Sequence, residues 1–209
     1  MTSLYILNIS HLDWQKLLPQ LPPDRQKKAQ TLRKEADKAR SVGAGMLLQY
    51  ALEQAGVPKA QQIFDRTHLG KPFLKHIPEM HFSLSHSGDY VVCAVSHAPV
   101  GVDVELPRCT MEIAGRFFHE DELPGTEDKD FLLRLWTAKE SFVKALGGGL
   151  TIPLNSFLVR LSAQEARLEQ TLSPLPYKLR EFVLGEHRVC LCTAEPSHEP
   201  VFVSPDTLC

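Results

Sequence analysis

The sequence predicts an α+β fold of two similar lobes, each a small, mainly antiparallel sheet packed on a long helix. The order of predicted elements supports this, because strand, helix and strands occur before residue 100 and again after it. The 209 residues suffice for two small lobes that share a core. The expected boundary near Ala98-Pro99 gives lobes over 1–98 and 99–194, followed by an irregular tail over 195–209. No repeat is visible in the sequence itself.

The first lobe is predicted to begin with a strand over residues 2–9, where apolar side chains alternate. After a proline-rich turn, a helical pattern covers residues 24–55, with small and apolar residues at steps of three and four. Gly43 and Gly45 lie inside this pattern, where each costs about 1 kcal/mol relative to alanine. They indicate either close approach by another backbone or a ligand, or a break between two shorter helices.

Three strands are predicted next, with turns at Ser87-Gly88-Asp89 and His97-Ala98-Pro99; they cover 81–85, 90–96 and 100–105. A second helix is predicted over 130–146, and it ends in three consecutive glycines. The strands expected to complete the second lobe cover 154–161, 177–184 and 187–193.

The composition excludes several classes of protein. Hydrophobic residues make up 43% and charged residues 23%, as in ordinary globular proteins, which argues against disorder and coiled coils. No window approaches the roughly 20 apolar residues of a membrane helix, and the first residues lack a basic signal-peptide region, so a cytoplasmic protein is expected. The net charge of -2 disfavours nucleic-acid binding.

The five cysteines show no zinc-binding spacing. Cys190 and Cys192 would share one face of a strand, so buried or half-buried thiols in a reducing compartment are expected.

The small net charge conceals two strongly charged segments. Residues 25–40 hold seven basic and two acidic residues, whereas residues 112–130 hold seven acidic and two basic residues. The basic helix could serve a phosphate-rich ligand or an acidic protein, or it could be a solvated helix face.

An acidic pair marks the predicted strand over 100–105. Because side chains alternate along a strand, three valines point into a core, while Gly101, Asp103 and Glu105 point the other way. The two carboxylates, about 6 to 7 Å apart along the strand, can reach one hard cation such as Mg²⁺ or Mn²⁺, and Gly101 leaves room beside them. From this segment alone, a solvated acidic face is the preferred interpretation.

Two further segments carry candidate chemistry. On the second helix, Glu140 and Lys144 share a face and Lys139 flanks them, which suits a metal-bound polyphosphate. From this segment alone, an ordinary surface Glu–Lys pair is the preferred interpretation. The turn holding Ser85 and His86 suits a phosphate. A hydrolytic triad is not favoured, because adjacent strand residues point apart and no orienting acid is evident.

Taken in order, these segments resemble one family, the 4'-phosphopantetheinyl transferases, and within it the surfactin-synthetase type. Each motif alone is weak, whereas the ordered set is specific. The matching residues are Gly70-Lys71-Pro72, Phe82 to Gly88, Gly101 to Glu105, Arg116-Phe117-Phe118, Trp136 to Lys144 and Gly147-Gly148-Gly149-Leu150.

The resemblance implies a pseudo-twofold pair of lobes that bind coenzyme A and Mg²⁺ between them, in a monomer. It implies transfer of the 4'-phosphopantetheine arm to a serine of an apo acyl or peptidyl carrier protein, with release of 3',5'-ADP, as in the holo-[acyl-carrier-protein] synthase class. No nucleic acid or membrane is an expected partner.

By position, the resemblance also implies residue roles. Asp103, Glu105 and Glu140 would hold the cation, and Glu140 would take the serine proton. Lys139 and Lys144 would balance the charge of the pyrophosphate. The remaining coenzyme A contacts would be Arg40, Ser85 and His86 at the 3'-phosphate, Lys71 and Pro72 at the adenine, and Arg25 and Lys28 among the phosphate ligands.

Two other functions stay open at this stage. A metal-dependent phosphohydrolase could use the same acids with water as nucleophile, and a non-catalytic coenzyme A-binding protein could keep the fold without turnover. The acidic segment is unexpected beside a carrier site, since carrier proteins are usually acidic; docking is therefore expected through apolar residues near Phe117, Phe118 and Leu123.

Overall fold

The computed structural model describes residues 1–123, 128–163 and 165–208 and has a mixed α+β architecture. Glu127 of the acidic segment and Cys209 lie outside the described residues. The helices are α1 (Trp14–Leu17), α2 (Pro23–Thr31), α3 (Glu35–Gln54), α4 (Met111–Phe117) and α5 (Lys129–Leu146). The strands are β1 (Ser3–Asn8), β2 (Phe64–Arg66), β3 (Pro72–Leu74), β4 (His81–Ser87), β5 (Tyr90–Ser96), β6 (Val100–Glu105), β7 (Leu158–Leu161), β8 (Ala166–Glu169), β9 (Lys178–Leu184), β10 (His187–Thr193) and β11 (Val201–Val203).

The first sheet has the strand order β11-β1-β5-β4. Its β1–β5 and β5–β4 pairs are antiparallel, while β11 runs parallel to β1. One face of this sheet packs on α3: Tyr5 and Leu7 of β1 and Val91 and Cys93 of β5 join the apolar side chains of α3 in one buried core.

The second sheet is antiparallel, with the strand order β6-β10-β9. Its β10 strand places Cys190 and Cys192 in the core that it forms with α5, which confirms that these two thiols share a buried face. Burial raises the pKa of Cys190 to about 12, so this thiol packs as a small apolar group.

The two sheets pack face to face. Leu4 and Ile6 of β1 meet Val100, Val102 and Val104 of β6 in a third core. The predicted alternation along β6 is thus confirmed. Because β1, β5 and β10 are covered on both faces, they read as nearly continuous apolar runs in the sequence.

The prediction of one helical segment over 24–55 is wrong in one respect. The structure has two helices there, α2 and α3, and the backbone between them is extended at Leu32 and Lys34. Glu35 and Asp37 occupy the first turn of α3, where negative charge favours a new helix start. Gly43 and Gly45 lie inside α3. A Cβ atom on Gly45 would lie 2.7 Å from a methyl carbon of Leu21, so these glycines permit close side-chain packing, and the break lies elsewhere.

The tail beyond residue 194 is not irregular, contrary to expectation. Strand β11 lies beside β1, with Tyr5 opposite Val201, and a 3₁₀ turn follows at Pro205–Leu208. Val203 and Leu208 are buried in the first core, which explains why a proline-rich segment is ordered.

The predicted strand over 154–161 is shortened to β7, because a 3₁₀ turn occupies Leu154–Ser156. Two small hairpins, β2–β3 and β7–β8, were not predicted. None of the helices in the described part of the chain is both long and apolar enough to span a lipid bilayer.

Candidate active site

A row of serines joins the two sheets where β4 runs beside β6. Ser83 Oγ accepts a hydrogen bond from the backbone N–H of Val102 (3.0 Å), and Ser85 Oγ donates to Asp103 Oδ1 (2.7 Å). Ser87 Oγ donates to Glu105 Oε2 (3.3 Å). Because successive side chains alternate, the serines two residues apart all face β6, and they hold its two carboxylates at this seam.

Asp103 is the most buried carboxylate of the site, with 2% of its surface exposed. Its Oδ1 accepts hydrogen bonds from Ser85 and from Lys144 Nζ, which lies 2.6 Å away. Its Oδ2 is buried and has no hydrogen-bond partner in the described part of the chain. A buried carboxylate oxygen without a partner costs free energy of folding, and a bound cation would remove that cost. Asp103 Oδ2 is therefore suited to bind a cation.

Helix α5 comes unusually close to β6 at Gly101. A Cβ atom there would lie 1.9 Å from the carbonyl oxygen of Ser141 and 2.4 Å from the backbone nitrogen of Ala145. The expectation that Gly101 leaves room for a cation is therefore wrong, because the helix backbone fills that space. The close approach instead brings Glu140 and Lys144 to the acidic strand.

The two other carboxylates are harder to ionise than usual. Burial, followed by the charge of Asp103, raises the pKa of Glu105 to about 7. Burial, followed again by Asp103, also raises the pKa of Glu140. Both shifts arise mainly from burial, and the neighbouring charge of Asp103 adds to them.

These groups fit a hard divalent cation chemically, since all are oxygen donors and a cation would relieve their mutual repulsion. Asp103, Glu105 and Glu140 are the residues that could hold it. They do not form a closed cage: among the described residues, no three His, Cys, Asp or Glu side chains are gathered tightly enough to hold a metal ion. Lys144 supplies the positive charge next to Asp103.

A basic cavity of about 460 Å³ opens on the other side of Ser85. It is lined by five of the predicted phosphate ligands, Arg25, Lys28, Ser85, His86 and Lys144, and by Pro72, which was predicted to lie at the adenine. Burial lowers the pKa of Arg25, and burial together with the Arg25 charge lowers that of Lys28. Burial, with Arg40 as a further cause, lowers the pKa of His86. A cavity with this excess of positive groups suits an anion with several charges.

Arg66 also lines this cavity, and the sequence reasoning missed it. It ends β2 and donates to the carbonyl of Gly70 (2.9 Å), within the hairpin that carries Lys71 and Pro72. The sequence offered one signal for Arg66, namely a basic residue a few positions before the Gly70-Lys71-Pro72 motif.

Arg40 lies at the edge of the site rather than in its lining. Its guanidinium pairs with Asp37 and donates to the carbonyl of Gly88 (3.0 Å). It therefore supports the turn after β4, and its Nη2 already has an acid partner.

Lys71 and Pro72 line a neighbouring cavity of about 270 Å³, together with Phe82, Leu84 and Gly147. The Lys71 ammonium donates to the backbone carbonyl of Lys144 (2.6 Å), near the end of α5. Burial lowers the pKa of Lys71 to about 8. This side chain links the β2–β3 hairpin to the helix that carries Glu140.

Lys139 is not brought to the carboxylate cluster. Its ammonium is fully buried, lies 2.7 Å from Glu122 Oε1, and donates to the carbonyls of Leu154 (2.7 Å) and Phe157 (2.8 Å). Lys139 therefore lies apart from the other residues predicted to contact the pyrophosphate, because its side chain points toward Glu122, in the segment that precedes the helix.

Comparison with known proteins gives two family-model matches that together cover most of the chain. Residues 99–192 match the 4'-phosphopantetheinyl transferase superfamily, and residues 8–98 match the model for 4'-phosphopantetheinyl transferase, N-terminal. The 4'-phosphopantetheinyl transferase psf-1 of Bacillus pumilus is 34% identical over 196 residues, covering 87% of this chain and 84% of the relative. The 4'-phosphopantetheinyl transferase Sfp of Bacillus subtilis strain 168 is 31% identical over 199 residues, covering 90% and 88%.

Proposed function

This chain belongs to the 4'-phosphopantetheinyl transferase superfamily, and we propose that it moves the 4'-phosphopantetheine arm of coenzyme A to a serine of apo acyl or peptidyl carrier proteins. We propose that the reaction is Mg²⁺-dependent, that it releases 3',5'-ADP, and that it falls in the holo-[acyl-carrier-protein] synthase class. The observation that carries the proposal is buried Asp103: its Oδ2 has no partner among the described residues, and its Oδ1 accepts hydrogen bonds from Ser85 and Lys144, which both line the basic cavity.

Coenzyme A fits the two adjoining cavities by charge. Arg25, Lys28, Arg66 and His86 would neutralise its phosphates, since this cavity gathers positive groups. The smaller cavity beside Pro72 has mostly apolar walls and would take the adenine. Lys144 lines both cavities, so its ammonium lies where the two parts of the ligand would meet.

Asp103, Glu105 and Glu140 would hold the cation, which when bound supplies charge neutralisation on the pyrophosphate. Glu140 would accept the proton of the carrier serine; burial raises its pKa, which makes it a stronger base than an ordinary glutamate. The serine oxygen would then form a bond to the β-phosphorus as the bond from that phosphorus to the leaving 3',5'-ADP breaks. Lys144 would balance the charge that develops on the leaving phosphate.

We also propose that the two lobes are related by a pseudo-twofold axis, with the boundary near residue 98. The strand order supports this. In β1-β5-β4 and in β6-β10-β9 alike, the first strand of the lobe pairs with the last, and the long helix follows the first strand. Because one chain supplies both sides of the cleft, a monomer suffices for the reaction. We therefore propose that the protein is a monomer, and sedimentation velocity at micromolar concentration would test this oligomeric state.

The test of function is the intact mass of several apo acyl and peptidyl carriers after incubation with coenzyme A and Mg²⁺. Each substrate carrier should gain the mass of phosphopantetheine, and chromatography should show 3',5'-ADP in equal amount. Omitting Mg²⁺ and substituting Glu140→Gln are the matched controls. Phosphate-ester turnover without any carrier would favour a phosphohydrolase. Coenzyme A binding without turnover across the panel would favour a binding protein.

A further inference from the structure

The Lys139–Glu122 ion pair is fully buried: both side chains are 0% exposed, and the charged atoms lie 2.7 Å apart. The Lys139 ammonium also lies 4.3 Å from the ring centre of Phe157 and 5.6 Å from that of Phe118. A charge pair removed so completely from water persists only when further hydrogen bonds satisfy it, and here the Lys139 ammonium donates to two backbone carbonyls.

Glu122 ties two other segments to this pair. Its Oε1 accepts from the backbone N–H of Val159 (2.6 Å), at β7. Its Oε2 accepts from the backbone N–H of His119 (3.0 Å), the residue that caps the 3₁₀ turn at Glu120–Glu122. The pair therefore anchors the chain on both sides of α5, directly after Phe118.

The anchored segment carries two aromatic rings to the helix face that holds Glu140. Phe118 is buried, with its ring centre 5.8 Å from that of Trp136, while Phe117 is 50% exposed and 6.5 Å from the same indole. Trp136 lines a cavity of about 180 Å³ together with Glu105, Leu106, Arg108, Cys109, Ile113 and Leu133. The aromatic pair thus braces one wall of a cavity that adjoins the carboxylates.

This cavity reaches the carboxylates at Glu105 and shares no lining residue with the basic cavity, so the two are separate openings beside the site. A nucleophile that attacks phosphorus in line with the leaving group must enter opposite that group. We propose that Lys139 and Glu122 are positioning residues, which hold Phe117 and Phe118 against Trp136 and so shape the wall where the carrier serine enters. This proposal rests on the transfer reaction proposed above.

The test compares the Lys139→Met/Glu122→Leu double variant with the wild type. Replacing both partners leaves no unpaired charge. Four backbone groups lose these side-chain partners, so circular dichroism and thermal unfolding first establish that the double variant folds. The matched control is Arg134→Met/Glu181→Leu, which removes another ion pair of α5, with N–O distances of 2.9 and 2.8 Å, on the side facing β9. Carrier KM and kcat are measured by intact mass, and the Kd of coenzyme A by calorimetry.

The double variant should raise the carrier KM at least about tenfold, because small displacements of positioning groups are costly, while the Kd of coenzyme A changes less than about twofold. The control pair should leave both values near those of the wild type. A folded double variant with an unchanged carrier KM overturns the proposal. A parallel loss of coenzyme A affinity also overturns it, because that result would indicate that Lys139 contacts the phosphates of coenzyme A.

A second readout does not depend on transfer. In a Trp14→Phe background, Trp136 is the remaining tryptophan. Acrylamide should quench its fluorescence more strongly in the double variant than in the control, because the Phe117–Phe118 segment loosens. If the wild type modifies no carrier, the proposed function fails, and the quenching still decides the positioning role: equal quenching in all three proteins overturns it.

Discussion

Glu105→Gln should stabilise the metal-free protein at neutral and alkaline pH. Burial and Asp103 raise the pKa of Glu105 from its ordinary 4.5 to about 7, a difference of about 2.5 units. At about 1.36 kcal/mol per unit, the ionised carboxylate costs at most about 3.4 kcal/mol. Glu105 is only half-buried, and solvent screening reduces this to about 1.5–3 kcal/mol. Glutamine resembles the protonated acid and can still accept the hydrogen bond from Ser87.

The pH dependence follows from the direction of the shift. Between pH 4.5 and 7 the folded protein binds this proton more tightly than the unfolded chain, so wild-type stability falls as pH rises through that window. The advantage of Glu105→Gln should therefore be small near pH 5 and reach its full value above pH 7.

The assay is thermal and urea unfolding of both proteins from pH 5 to 8 with EDTA. For a chain of this size the gain corresponds to a rise in Tm of about 3–12 °C. Added Mg²⁺ should stabilise the wild type by binding to the folded state, and should lose this effect in the variant. A stability difference that is constant across pH, or a less stable variant, would refute the reasoning.

Three further predictions concern catalysis, packing and ligand affinity. Glu140→Gln should lower turnover at least about 10²-fold with little change in coenzyme A affinity, and near-normal turnover by intact mass would reassign the base. Gly101→Ala should lower the free energy of unfolding, measured with urea, by at least about 3 kcal/mol, because the added Cβ meets the α5 backbone. Gly115→Ala is the control in α4, where a Cβ would meet no described atom within 4 Å, and it should raise that free energy by about 0.5–1 kcal/mol. Arg66→Ala should weaken coenzyme A binding about tenfold in calorimetry. Because Arg66 lines the same cavity as Ser85 and His86, which are expected at the 3'-phosphate, the substitution should affect dephospho-coenzyme A less. An equal loss for both ligands would place Arg66 away from the 3'-phosphate.

Much of the site could be predicted because strand and helix periodicity are local properties. The alternation along β6 correctly placed its valines in the core and its carboxylates on the opposite face. The four-residue spacing correctly placed Glu140 and Lys144 on one side of α5, where both interact with Asp103. These relations depend only on backbone geometry, so no knowledge of the neighbouring elements was needed.

Other features could not be predicted, because they depend on distant segments. Lys139 and Lys144 look alike in the sequence, yet one is sealed against Glu122 and the other reaches Asp103. Which partner each lysine finds depends on the segment that packs on that side of α5. Arg66 joins the basic cavity only because the β2–β3 hairpin and α2 line the same cavity.

The sequence by itself determined the family, the α+β composition and the acidic and basic groups available for chemistry, since these follow from residue order and local periodicity. Only the tertiary structure decided which charges are paired, that the α5 backbone fills the space at Gly101, and that the tail adds a strand to the first sheet. The physical reason is that periodicity specifies which side chains share a face, whereas long-range packing specifies what covers that face and which charges remain free to bind a ligand.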